Sequence, residues 1–89
     1  MDDKTRAKEL AKAHRAALDE LYNPLLDDAE RERIMDRRYR LSVKMYDHRV
    51  ETGWSYEVPD FPGEPGRWAN STGGLLGWRT EWIDDEEDN

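Results

Sequence analysis

Residues 20–30, Glu-Leu-Tyr-Asn-Pro-Leu-Leu-Asp-Asp-Ala-Glu, decide the fold because they both end one helix and begin the next. Asn23-Pro24 stops a helix, since proline disfavours helical backbone at the residue before it. Asp27 is a good N-cap, and Glu30 three residues later is close to a capping box with Asp in place of Ser or Thr. Helices joined by so short a connection usually pack antiparallel. The stretch therefore predicts a helical hairpin.

The first predicted helix spans about residues 3–22, with Asp2 or Asp3 as its N-cap. Its apolar residues recur at spacings of three and four, which is the pattern of one buried helix face. That stripe consists of Ala7, Leu10, Ala11, His14, Ala17, Leu18, Leu21 and Tyr22.

The second predicted helix spans about residues 28–50 and ends before Gly53. It carries two apolar stripes, although a lone two-helix hairpin buries only one stripe per helix. The first stripe is Ile34, Leu41 and Met45, and the second is Tyr39, Val43, Tyr46 and Val50. The second stripe must therefore meet something else, which is the C-terminal half, a second copy of the chain, or a partner.

After Gly53 the pattern changes from helical to alternating. Residues 54–58 and about 75–83 alternate apolar with polar side chains and predict short strands, joined through a turn-rich Pro/Gly segment at 59–66. The predicted fold class is α+β: an antiparallel two-helix hairpin followed by an aromatic, Pro/Gly-rich segment with one or two short β-strands. We expect one small domain at 1–83 and an acidic tail at 84–89.

Composition predicts a thin core and a soluble, cytoplasmic protein. The chain has 89 residues, 36% hydrophobic and 39% charged, and no cysteine, so no disulfide or thiolate is available. Small single cores rarely supply more than about 3–5 kcal/mol, and oligomerisation or docking on a partner compensates for this. No segment approaches the roughly 20 apolar residues of a membrane span.

Charge is divided by position along the chain. Residues 1–45 carry 11 Lys/Arg and 10 Asp/Glu, whereas residues 46–89 carry 3 and 11, which together give the net charge of −7. All four tryptophans lie in the acidic half. Tryptophan is frequent at binding hot spots, although a small core also uses large residues to fill itself.

These features predict a non-enzymatic, acidic protein-binding module that sequesters or inhibits a larger basic partner, with a homodimer as a further expectation. Phage-type inhibitors of host enzymes or defence complexes, including mimics of nucleic acid, share this size and composition. The expected partner-binding residues are Trp68, Trp78, Trp82, Tyr39, Tyr46, Asp84, Asp85, Glu86 and Glu87.

Two alternatives remain open at this point. A basic ridge on the second helix, formed by Arg33, Arg37, Arg40 and Lys44, would suit a nucleic-acid-associated module, or it is a solvated charged face. The chain would otherwise be an accessory subunit that needs a partner to complete its core. His14 and His48 lack a metal-ligand spacing, and no catalytic or phosphate-loop motif occurs, so we expect no metal, cofactor or enzymatic activity.

Overall fold

The computed structural model describes residues 2–61, 63–74 and 77–85, which form two helices followed by three strands. Helix α1 spans Asp3–Glu20 and helix α2 spans Asp28–Thr52. They pack against each other as a hairpin. The α+β class with a helical hairpin is therefore confirmed.

Both helices begin at an aspartate, as the sequence predicts. Asp2 accepts a hydrogen bond from the backbone N–H of Thr5 at 2.7 Å, and Asp27 accepts one from Glu30 at 2.8 Å. Each bond satisfies an amide that the first helical turn leaves without a partner. Gly53 ends α2 in the left-handed region with φ 83°. The caps thus fix where the hairpin starts, turns and ends.

The three strands form one antiparallel sheet in the order β1-β2-β3. β1 spans Trp54–Glu57, β2 spans Arg67–Gly74 and β3 spans Gly77–Asp84. Tyr56 lies opposite Trp68, and Trp68 lies opposite Ile83. The short strand β1 packs against α1 and more lightly against α2, so the sheet joins the hairpin along that edge.

The core is small and centres on the alanine-rich face of α1. Ala7 and Ala11 are buried against Tyr56 of β1, and small side chains there let the sheet approach the helix closely. Met45, Trp54, Val58 and Trp68 pack around this centre. The buried hydrophobic side chains among the described residues are Ala7, Leu10, Ala11, Ala17, Ile34, Tyr56 and Ala69.

The structure differs from the prediction mainly in the sheet, which has three strands where the sequence predicts one or two. Strand β2 was missed because its sequence, RWANSTGG, is made largely of small and polar residues without clear alternation. It is a strand because it pairs on both sides. α1 ends two residues earlier and α2 two residues later than predicted, while residues 75 and 76 of the second predicted strand lie outside the described residues.

The two helices are too polar to cross a bilayer, and no described helix is a candidate membrane span.

Candidate functional site

Five large apolar side chains lie on the outer face of α2 and form what we name the α2 stripe. They follow each other at spacings of four, four, three and four residues, which keeps them on one helix face. Their exposed fractions are 56% for Met35, 68% for Tyr39, 41% for Val43, 66% for Tyr46 and 56% for Val50. An apolar row of this length on the surface of so small a protein is a typical interaction site.

The α2 stripe is exposed because α2 uses its other apolar face for the core. Ile34 is buried, Leu41 is half-buried, and the half-buried Met45 packs against the core around Ala7, Ala11 and Tyr56. At 100° per residue, the α2 stripe is centred about 140° around the helix from that core face. Within residues 53–61, 63–74 and 77–85, no segment of the C-terminal half covers it.

Carboxylates border the α2 stripe at one end and along one side. Helical geometry continues the line of the stripe through Asp28 and Glu32 in the first turns of α2, and both are exposed. Asp36 and Asp47 lie along one flank, where Asp36 pairs with Arg40 at 3.0 Å. The stripe is therefore an apolar surface with carboxylates at one end and along one side, while Arg38 and Arg49 lie on the opposite side.

An open groove runs between the hairpin helices beside Met35 and Tyr39, and His14 of α1 and Arg38 of α2 also line it. The Arg38 Nε–H is buried and has no hydrogen-bond partner among the described residues. Burial, and to a smaller extent the charge of Arg38, lowers the pKa of His14 below its ordinary value of 6.5. The groove thus adds polar groups to one end of the α2 stripe.

The basic ridge lies on α2, and its four side chains are exposed. Arg37 forms an ion pair with Glu20 at the end of α1, and Arg40 forms one with Asp36. Two of the four cations are therefore neutralised by carboxylates of the helices themselves. Within the described part of the chain, Arg33 and Lys44 form no ion pair.

Trp68 is tied into the fold. Its indole N–H donates to the backbone carbonyl of Lys4 at 3.1 Å, and its ring meets Tyr56 edge-on with centroids 5.3 Å apart. The ammonium groups of Lys4 and Lys8 lie over the same ring, at 4.3 and 5.6 Å from its centroid. Trp68 therefore fastens β2 to α1, which differs from the exposed binding anchor expected from the sequence.

Trp82 lies at the surface of the sheet. It is 52% exposed on β3, and the guanidinium of Arg67 stacks over its ring at 4.3 Å. Arg67 also pairs with Glu57 on β1 at 3.3 Å. Trp78 occupies a position in β3, opposite Gly73. Trp82 thus lies apart from the α2 stripe, on a surface where Arg67 already contacts both the Trp82 ring and the Glu57 carboxylate.

The expected acidic tail divides at Asp85. Asp84 is exposed in β3, opposite Arg67. Asp85 is fully buried and lies 2.5 Å from the Lys8 ammonium, and the Tyr56 hydroxyl donates to it at 3.0 Å. The expectation that Asp85 is a free carboxylate of the tail is therefore corrected, because two donors on other elements hold it inside. Glu86 and Glu87 lie outside the described residues.

Sequence reasoning found four of the five residues of the α2 stripe and missed Met35, although its spacing of four from Tyr39 was a usable signal. It also missed the Lys8–Asp85–Tyr56 cluster, for which one carboxylate in an acidic run offers no signal. In residues 2–61, 63–74 and 77–85, no three His, Cys, Asp or Glu side chains are grouped so as to hold a metal ion. His48 instead contacts the backbone carbonyl of Asp3 at 2.8 Å.

Comparison with known proteins yields no relative. No family model matches the chain, and neither the curated proteins nor the solved structures contain a significant match.

Proposed function

We propose that this protein is a non-enzymatic protein-binding module that sequesters a larger protein by docking it on the α2 stripe. The observation that carries the proposal is the exposure of five large apolar side chains on one face of α2. Leaving such a row in water is unfavourable by roughly 25 cal/mol per Å² of apolar surface, and a partner that covers it recovers that free energy. Tyr39 and Tyr46 are the proposed anchors, because tyrosine combines a large apolar ring with a hydroxyl that remains hydrogen-bonded at an interface.

The partner is proposed to be basic around its binding surface. The chain carries a net charge of −7, and Asp28, Glu32, Asp36 and Asp47 border the α2 stripe. Opposite charges around an apolar centre raise the association rate more than they raise affinity, and salt screens them. Binding should therefore slow at high ionic strength while the apolar contact persists.

The basic ridge is a weaker basis for function. Direct nucleic-acid binding needs several free cations, each of which neutralises a phosphate. Arg37 and Arg40 already pair with Glu20 and Asp36, and the net charge of the whole chain opposes approach to a polyanion.

Photo-crosslinking from the α2 stripe tests the proposal. A photoreactive phenylalanine analogue replaces Tyr39 or Tyr46 in cells that naturally make the protein, and the masses of the adducts are measured. Both positions should give the same adduct with a protein larger than this 10.5 kDa chain. A tyrosine that is 76% exposed outside the stripe, Tyr22, is the matched control position and should not give that adduct.

Affinity for the captured protein is then compared between variants. Tyr39→Ser with Tyr46→Ser should weaken binding at least about 100-fold, as expected for loss of two anchors worth roughly 1.5–2 kcal/mol each. Tyr22→Ser should leave binding unchanged. If the two stripe positions give only adducts of two copies of the chain, or the same adducts as position 22, the proposal of a larger partner on the α2 stripe is wrong.

A further inference from the structure

Strand β3 forms an edge of the sheet, and its outer side is unpaired among the described residues. The backbone N–H of Asp85 donates to Gly66 O at 2.8 Å, so the pair Gly66–Asp85 is a hydrogen-bonded pair of the β2–β3 ladder. Hydrogen-bonded pairs alternate along an antiparallel ladder. Residues 83, 81, 79 and 77 therefore also bond to β2, and the backbone groups of residues 84, 82, 80 and 78 point away from it.

The two edges of the sheet are unlike. β1 has four residues and lies against both helices, whereas β3 has eight residues and pairs with β2 without interruption from Asp84 to Gly77. Its described side chains are all exposed. A long, regular edge strand is a template for pairing with another strand, and natural proteins usually protect such an edge with charged side chains, proline or a bulge. β3 contains no proline and no bulge in its described register, and its central charged residues, Arg79 and Glu81, have opposite signs.

We propose that β3 pairs antiparallel with β3 of a second copy, with the two-fold axis at Thr80, to form a continuous six-stranded sheet. In this register Thr80 faces Thr80 of the second copy, and Arg79 faces Glu81 of the second copy. By symmetry Glu81 faces the second Arg79, so two cross-strand ion pairs form. The position of Trp78 lies opposite that of Trp82. The residues with outward backbone groups, 78, 80 and 82, meet one another as hydrogen-bonded pairs, as an antiparallel ladder requires.

Charge selects this register over its neighbours. Sliding the strands by one step of the ladder in one direction places Arg79 opposite Arg79, and sliding them the other way places Glu81 opposite Glu81. Arg79 and Glu81 occupy non-hydrogen-bonded positions of the new ladder, where side chains directly opposite are closest. Like charges at such positions are destabilising and opposite charges are stabilising. The sequence Arg79-Thr80-Glu81 is thus complementary to itself only in the register centred on Thr80.

This pairing uses a surface separate from the α2 stripe, so it goes beyond the proposed function and stands or fails without it. The paired molecule would present two α2 stripes and a net charge twice that of one chain. A dimer would then bind a partner with two docking sites more tightly than a single copy does, because the first contact raises the effective concentration of the second α2 stripe.

Sedimentation equilibrium of charge-reversed chains tests the proposal. The full chain should sediment as a dimer of about 21 kDa, twice the 10.5 kDa of one copy. Arg79→Glu alone and Glu81→Arg alone each place like charges opposite at two positions, and each should raise the dimer dissociation constant roughly tenfold. The double variant R79E/E81R exchanges the charges and should restore dimerisation. Glu9→Arg, the same change at an exposed position of α1, is the control and should not alter the constant.

A backbone variant tests the same edge independently of charge. Thr80→Pro removes an outward N–H while leaving residues 79 and 81, which bond to β2, in place, and proline is tolerated on a strand edge. This variant should be a folded monomer, with an unchanged helical circular dichroism spectrum. A full chain that is monomeric at millimolar concentration overturns the proposal. The proposal is also wrong if R79E/E81R fails to restore the dimer. It is equally wrong if the dimer persists after either single charge reversal but is lost in the Tyr39→Ser, Tyr46→Ser variant.

Discussion

His14 shows how one side chain on an apolar helix face responds to its surroundings. It belongs to the stripe that packs α1 against α2, and it lines the groove together with Arg38, Tyr39 and Ser42. Loss of solvent, and then the positive charge of Arg38, lowers its pKa below 6.5. The sequence predicts His14 on the apolar stripe of the first helix, and its half-buried position fits that placement. The nearby cation could not be deduced from spacing alone.

The lowered pKa of His14 makes stability depend on pH. The folded chain favours neutral His14, while the unfolded chain protonates it near its ordinary pKa of 6.5, so protonation favours unfolding. The contribution of neutral His14 is therefore fully present above pH 6.5 and is lost as pH falls below it towards the folded pKa. The free energy of unfolding, measured by urea titration between pH 5 and 8, should decrease towards pH 5.

Replacing His14 by Gln should flatten that pH profile, since the neutral amide does not titrate. His48→Gln is the matched control, because His48 is the other histidine of the chain and contacts Asp3 instead. It should leave the decrease below pH 6.5 in place. A profile that keeps its slope in His14→Gln would assign the pH dependence to another group.

At the scale of elements, the helices were predictable and the middle strand was not. The helices are specified by signals within their own sequence, namely the cap at Asp27, the break at Pro24 and the spacing of the apolar residues. Such local signals can be read from the sequence alone. β2 depends instead on strands at both of its sides, where Ala69 and Ser71 are small enough to be buried between neighbours. Its residues have little strand preference of their own, so only the tertiary pairing specifies it.

The joint between α2 and the sheet depends on Gly53. Its φ of 83° is unfavourable for any residue with a side chain, and a Cβ there would lie 2.7 Å from the backbone oxygen of Ser71. The Ser71 N–H also donates to Gly53 O at 2.7 Å, which aligns β2 with the end of the helix. Gly53→Ala should destabilise the protein by about 3 kcal/mol, as backbone strain and steric overlap add. Urea denaturation measures the loss.

Gly63 provides a control that separates the two costs. Its φ is 89°, but a Cβ there would meet nothing within 4 Å. Gly63→Ala should therefore cost only about 1 kcal/mol, the penalty of left-handed backbone for an ordinary residue. Equal losses in the two variants would show that the contact with Ser71 contributes nothing.

At the scale of the whole molecule, the structure also departs from the sequence prediction in where it places charged residues. The sequence predicts an acidic tail at residues 84–89 and a basic ridge on the second helix. The structure brings one carboxylate from the C-terminal end, Asp85, into the core, where Lys8 of α1 and Tyr56 of β1 hold it. One acidic residue among five in a row cannot be singled out by pattern, since its role arises from where β3 ends relative to α1. The α2 stripe, in contrast, was predictable, because helical periodicity assigns a face to each of its residues.

Asp85 should couple the unfolding of the hairpin to that of the sheet, because its ion pair with Lys8 joins the end of β3 to α1. Asp85→Asn keeps the volume and an acceptor for Tyr56 but leaves the half-buried Lys8 ammonium facing a neutral amide. The variant should lose about 2 kcal/mol of stability, as expected when one partner of a buried charged pair is removed. Helical circular dichroism and tryptophan fluorescence should report the same lowered midpoint in urea, since α1 packs against both α2 and the sheet. Asp84→Asn, the same change at the exposed neighbouring position, should alter stability by no more than about 0.5 kcal/mol. A fluorescence transition that moves while the helical transition stays would mean that the hairpin is stable without the sheet, and that Asp85 fastens the sheet alone.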